Sequence, residues 1–115
     1  VGAAKRSWAE KNRDLLVSYI RAYVEATQWC FDASNRASCC ELLAVHNGVE
    51  GEAAEETLNA LLDSAYGIYP NAALSLPGLR SVLELRAEMG FLKQPLPPVE
   101  KYIDLSYYNA AIERR

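Results

Sequence analysis

The chain has 115 residues, 12 of them basic and 15 acidic, which gives a formal net charge of −3, and half of its residues are hydrophobic. This length suffices for one domain with one core, and the composition is typical of a globular protein and not of a disordered one. A duplex-binding surface usually carries a basic surplus, so the charge argues against a nucleic-acid partner.

A transmembrane segment and a signal peptide would each show as a pattern in the sequence. No apolar run approaches 18 residues, so we expect no transmembrane helix. The start, VGAAKRSWAE, lacks the apolar segment and cleavage pattern of a signal peptide. We therefore expect a cytosolic protein, a mature exported one or an excised piece.

The first predicted element is a long helix over residues 8–31. Ser7 and Glu10 have the spacing of a capping box, in which the serine accepts from a backbone N–H and the glutamate reaches back. Apolar residues recur at intervals of three and four, which places them on one helical stripe that is expected to organise the fold. The stripe comprises Trp8, Leu15, Leu16, Tyr19, Ile20, Tyr23, Val24 and Thr27.

Two shorter helices are predicted next, after a polar turn at 32–35. The second helix is predicted over 36–45 and the third over 52–66, with a glycine-containing loop between them. Gly67 is expected to end the third helix. The residues predicted to be buried are Ala37, Cys40, Leu43 and Ala44 in the second helix and Ala54, Leu58, Leu61, Leu62 and Ala65 in the third.

A fourth helix is predicted over 78–89, after the irregular apolar segment 68–77, which should lie across the other helices. Pro77 suits its first turn, and Gly90 follows its end. Its predicted core face consists of Leu79, Val82, Leu83, Met89 and either Leu85 or Arg86.

The prolines in residues 94–98 exclude regular structure there, because each fixes φ and removes a donor. A short turn and a last helix over 107–114, capped by Ser106, complete the chain. No strand pattern occurs, so the sequence predicts an all-α fold of five to six helices in a single helical domain, residues 1–115.

The three cysteines, Cys30, Cys39 and Cys40, are close together in the sequence. An odd number leaves at least one thiol free or paired between chains. A Cys30–Cys39 or Cys30–Cys40 bridge would need Cα atoms within about 7 Å, and the sequence leaves such a bridge possible but does not favour it. Cys40 is predicted to be buried. His46 could complete four zinc ligands, but no C-x-x-C pair occurs, so no metal site is expected.

Other candidates for chemistry have simpler interpretations. His46 as a general base would need an orienting carboxylate and a nucleophile. The cluster Glu50, Glu52, Glu55 and Glu56 is typical of a helix start, where acidic residues favour the positive end of the dipole. Phosphate-loop and G-x-S-x-G motifs do not occur. We therefore expect no enzyme activity, no catalytic residues and no cofactor.

Four stretches carry a resemblance to a known family. WAEKNRDLLVSYIRAYVEATQWC (8–30) is similar to a long helical segment with a W/F-A-x-K-N-P-x-x-V start and an R-A-x-x-E-A run, although Arg13 and Asp14 replace the usual proline region. NRASCCELLA (35–44) looks like the next helix, apart from its cysteines, and PGLRSVLELRAEMGFL (77–92) resembles a late helix. YIDLSYYNAA (102–111) resembles the closing Y-x-D-x-S-Y-x-x-x-A motif.

The family is that of periplasmic substrate-binding proteins of ABC importers, of the nitrate/sulfonate/taurine type with its thiamine-precursor-like branch. The resemblance implies two α/β lobes with a ligand cleft between them, whose strand ends and loops contact the solute. It implies that this chain is the C-terminal helical part, a fragment of a larger solute-binding protein that is periplasmic or exported. The same fold hosts a few enzymes of thiamine-precursor synthesis.

The resemblance also implies roles and partners. The partners would be the missing N-terminal α/β lobes, an ABC permease through them, and a small-molecule solute. Tyr102, Asp104, Ser106 and Tyr107 would form a terminal docking segment, in which Asp104 can accept from backbone N–H groups at the start of the last helix. Alternatively, the chain is a stand-alone helical interaction module. The isolated fragment is expected to form a homodimer.

Overall fold

The computed structural model describes residues 2–113. Six α-helices occur in this range: α1 (Arg6–Lys11), α2 (Arg13–Phe31), α3 (Arg36–Asn47), α4 (Gly51–Leu61), α5 (Leu76–Glu88) and α6 (Ser106–Glu113). Two 3-10 turns, Ala33–Asn35 and Val99–Lys101, lie between them, and no strand occurs in the described range. The predicted all-α fold with five to six helices is confirmed. No helix in this range is both long and apolar enough to cross a membrane.

The first predicted helix is divided into two at Asn12. Asn12 has φ −122° and ψ 36°, outside the helical region, and its side-chain Nδ2 donates to the carbonyl oxygen of Trp8 over 2.8 Å. The predicted capping box is wrong, because α1 begins at Arg6 with Lys5 as a cap that makes no side-chain hydrogen bond. Ser7 therefore lies inside the helix, where its side chain cannot act as an N-cap.

The ends of α3 and α4 differ from the predicted ones in opposite directions. Helix α3 continues to Asn47 and ends at Gly48, which has φ 63°. Helix α4 ends at Leu61 and not at residue 66, because Asp63 Oδ1 accepts from the backbone N–H groups of Ala65 and Tyr66, at 2.8 Å each. These hydrogen bonds replace the helical ones in the predicted last turn, and Ala65 is exposed there instead of buried.

Gly67 closes this turn where the backbone returns close to the end of α4. A Cβ at this position would lie 2.5 Å from the carbonyl oxygen of Asp63 and 2.7 Å from its nitrogen. Gly67→Ala is therefore expected to lower the free energy of unfolding by about 2 kcal/mol, since the backbone must shift. Gly51→Ala is the matched control, because its Cβ would meet nothing within 4 Å. Urea denaturation measures both, and equal effects of the two variants would contradict the steric argument.

Four of the six helices pack as two pairs, α1 joins one of these pairs through α2, and α5 is separate. Helix α2 packs against α6 and α3 packs against α4, while α2 and α3 touch near the turn that joins them. Helix α5 contacts the 3-10 turn Val99–Lys101 and none of the other helices or 3-10 turns of the described range. The main core lies between α1, α2 and α6, and it is formed by the buried Ala9, Val17, Tyr107 and Ala111 with Leu16, Ile20 and Ala110 against them.

Only part of the predicted stripe on the first helix is covered. Val24 and Thr27 are buried, but Leu15, Tyr19 and Tyr23 retain 61%, 64% and 55% of their accessible surface. Spacings of four place these three residues on one side of α2, which we call the α2 outer face. Because α6 is a single short helix, it covers one edge of the stripe and leaves this face open.

Helix α5 shows the same incomplete coverage. Leu83 is buried, Leu79 is half-buried, and Val82, Leu85 and Met89 are exposed. These last three residues form the α5 outer face, which the sequence predicted to be core. The prediction was correct about the helix and wrong about its burial, because no described element packs on that side.

Candidate functional site

The C-terminal segment, residues 99–113, contains the four predicted docking residues. Tyr107 is the most buried of them and packs in the core with Ala9 and Val17. The guanidinium carbon of Arg13 lies 5.0 Å from the centroid of its ring, which is a cation–π distance. Tyr107 therefore attaches α6 to both α1 and α2.

Asp104 and Ser106 form the turn that starts α6. The backbone N–H of Ser106 donates to Asp104 Oδ1 over 3.0 Å, which is the hydrogen bond predicted from the sequence. Hydrogen bonds from the side chain and the backbone of Ser106 lower the pKa of Asp104, because they stabilise its carboxylate. Arg6 Nη1 lies 4.0 Å from Asp104 Oδ2, and both side chains are exposed, so this ion pair contributes little.

Tyr102 differs from Tyr107 in its surroundings. It retains 46% of its accessible surface, against 8% for Tyr107, and the ammonium of Lys101 lies 5.8 Å from its ring centroid. The structure thus brings Tyr107, Asp104 and Ser106 to the contact between α6 and the first two helices, and leaves Tyr102 at the edge. The docking role of the four residues stays a prediction.

Two long-range contacts of α6 have no signal in the sequence. The hydroxyl of Tyr108 donates to the carbonyl oxygen of Asn71 over 2.9 Å, which ties α6 to the irregular segment before α5. Arg21 Nε donates to the carbonyl oxygen of Ala111 over 3.3 Å. Both partners are distant in sequence, so neither periodicity nor a local motif could have found these contacts.

Two of the cysteines, Cys30 and Cys39, lie beside an apolar cavity of about 340 Å³ between the end of α2, α3 and α4. Cys39 is 3% exposed and Cys40 is half-buried, so the prediction that Cys40 is the buried cysteine is wrong. All three thiols are free. The cavity is lined by Trp29, Cys30, Cys39, Leu42, Leu43, His46, Asn47, Leu58, Leu61, Leu62 and Ile68.

Cys39 has a perturbed thiol. Burial raises its pKa to about 11, because a thiolate is disfavoured away from water, and the neighbouring Cys30 thiol adds to the effect. Cys30 and Cys39 both line the wall of the cavity. Cys39 is protonated at neutral pH.

The remaining polar candidates lie at the surface. His46 is exposed in the last turn of α3, at the rim of the cavity. Arg36 Nη2 lies 3.6 Å from Glu55 Oε2 and donates to Asn59 Oδ1 over 2.6 Å, so one glutamate of the acidic cluster joins α3 to α4. Within residues 2–113, no group of three or more His, Cys, Asp or Glu side chains is arranged to hold a metal ion.

No family model, no curated protein and no solved structure matches this chain. The family resemblance therefore rests on the short motifs in the sequence alone.

Proposed function

We propose that this chain is the C-terminal helical part of a solute-binding protein of an ABC-type importer, of the nitrate/sulfonate/taurine type, and that it is a structural segment with no part in the chemistry of solute binding. In this role it would pack against an α/β lobe and help to shape that lobe, while the solute contacts come from outside this chain. The protein would work in the periplasm or outside the cell and deliver its solute to a permease.

The observation that carries the proposal is the open packing of the helices. The α2 outer face and the α5 outer face present large apolar side chains to solvent. Extended apolar patches on a protein surface usually mark an interaction site. Both faces lie in stretches that resemble the family, residues 8–30 and 77–92, so they are the places where a lobe would be expected to pack.

The α6 contacts support the same interpretation. Tyr107 and the Asp104–Ser106 turn hold the end of the chain on α1 and α2. The matching closing motif, residues 102–111, would then serve to fix the last helix.

The test uses the product of the complete reading frame that contains residues 1–115. Nitrate, aliphatic sulfonates including taurine, and pyrimidine precursors of thiamine are added to the purified protein, and thermal unfolding is followed. One solute class is expected to raise the melting temperature, since a ligand at 100 times its Kd stabilises the folded state by about 2.7 kcal/mol. The 115-residue chain alone is expected to show no shift with any of them.

If the chain is instead a stand-alone interaction module, its reading frame is expected to open immediately before Val1 and to contain no α/β region. That result would overturn the transport proposal. A solute-induced shift in the 115-residue chain itself would overturn the part of the proposal that places the solute contacts elsewhere.

A further inference from the structure

We propose that Cys30 and Cys39 form a thiol–disulfide exchange site, which takes a small aliphatic disulfide such as oxidised glutathione as its oxidant and ends as an intramolecular disulfide. This inference is independent of the proposed transport function. It assigns a covalent modification to a site where the sequence left two pairings open.

The turn between α2 and α3 brings the two thiols together. Cys30 lies in the last turn of α2, and Cys39 lies near the start of α3. Asp32 Oδ1 accepts from the backbone N–H and from the hydroxyl of Ser34, at 2.9 and 2.7 Å. Asn35 Nδ2 donates to the carbonyl oxygen of Trp29 over 3.0 Å. These bonds fix the reversal of the chain, so the placement of both thiols on one cavity is a property of the local fold.

The structure selects Cys39 over Cys40 as the partner of Cys30. Both Cys30 and Cys39 line the cavity, and Cys30 lies close enough to Cys39 to raise the pKa of its thiol. Cys40 follows Cys39 on a helix, so its side chain points about 100° away, and it is not part of the cavity wall. Cys40 is therefore not expected to take part in the exchange, although it lies next to Cys39 in the sequence.

The exposure of the two thiols sets the order of the reaction. Cys30 is half-buried and reachable, whereas Cys39 is buried. The Cys30 thiolate attacks one sulfur of oxidised glutathione, forms a mixed disulfide and releases one glutathione, which takes up the proton that Cys30 lost. The Cys39 thiolate then attacks the Cys30 sulfur and releases the second glutathione with the proton from Cys39. Two electrons and two hydrogens pass from the cysteines to the oxidant.

The second step is favoured by proximity. Burial keeps the Cys39 thiolate scarce at neutral pH, but its target sulfur is held beside it, and such positioning can replace a high external concentration. Closure requires the sulfur atoms to approach to about 2.05 Å.

The test exposes the reduced chain to an excess of oxidised glutathione and maps alkylated peptides by mass spectrometry. We expect one linked peptide pair that joins Cys30 to Cys39, with Cys40 still alkylated. In the Cys40→Ser variant, both remaining thiols should disappear, and the mass of the chain should fall by that of two hydrogens. Cys39→Ser should stop at the Cys30 mixed disulfide. The oxidised chain should melt higher by roughly 5 °C, because the bridge restricts the unfolded state.

Three results would overturn the proposal. The Cys40→Ser variant could keep both thiols under excess oxidant, the linked peptides could include Cys40, or the only disulfides could join two chains on a non-reducing gel. The wild type and Cys40→Ser keep both reacting cysteines, so the test does not depend on whether a substitution of the buried Cys39 still folds.

Discussion

The isolated 115-residue chain is expected to form dimers in solution. Its accessible surface is 8629 Å², roughly 2,300 Å² more than the value of about 6,300 Å² for a compact monomer of its mass. Its radius of gyration is 16.8 Å, against about 13 Å for a compact domain of this length. The surplus surface is of the size that each chain hides in a large obligate dimer, where the two chains together bury about 2,000–5,000 Å².

The α2 outer face and the α5 outer face are the surfaces that a second copy would cover. A symmetric pair is the commonest way to bury such a face, since one patch then serves both chains. In the complete protein that we propose, an α/β lobe would occupy these faces instead. Dimer formation is therefore expected of the isolated chain.

Sedimentation velocity at increasing protein concentration measures this association. Tyr19→Glu places a charge on the α2 outer face, and Met89→Glu places one on the α5 outer face. A variant whose new charge lies inside the dimer contact is expected to be monomeric. Ser38→Glu is the matched control, because it adds the same charge at an exposed polar position of α3. A wild-type chain that stays strictly monomeric at the highest concentration would contradict the expectation.

Tyr107→Ala is expected to lower the free energy of unfolding by about 3 kcal/mol, as for other large aromatic residues removed from a core. The loss is large because the main core has few members, and Tyr107 is its largest. Its removal leaves a cavity between α6 and α2 and also removes the ring beneath Arg13. Truncation after Pro98 deletes the whole contact and is expected to lower the melting temperature at least as much.

Tyr102→Ala is the control for this experiment. Tyr102 belongs to the same predicted docking segment but is half-exposed, so its loss should cost less than about 1 kcal/mol. Thermal and urea unfolding of the two variants show whether the loss of stability follows the burial of the residue or its place in the predicted docking segment. Equal effects, or an unchanged melting temperature after the truncation, would contradict the assignment of the anchor to Tyr107.

Much of the helical layout could be predicted from the sequence because its signals are local. The three- and four-residue spacings and the glycine and proline positions place most of the helices close to where they occur. The errors lie where a side chain competes with the helical backbone. Asn12 interrupts the first helix through its bond to Trp8, and Asp63 ends α4 early through two backbone N–H groups. The spacing of apolar residues contains no information about hydrogen bonds between a side chain and the backbone that end a helix.

The sequence by itself determined the helices and their apolar stripes, and it singled out Asp104 as the acceptor at the start of α6. The tertiary structure decided which edge of each stripe is buried: Val24 is buried and Tyr19 is exposed, because the helices that contact α2 do not cover the α2 outer face. It also decided that Cys39, and not Cys40, lines the same cavity as Cys30, since one residue along a helix rotates a side chain by about 100°. Both outcomes depend on where a second element lies, and spacing within one helix carries no information about that.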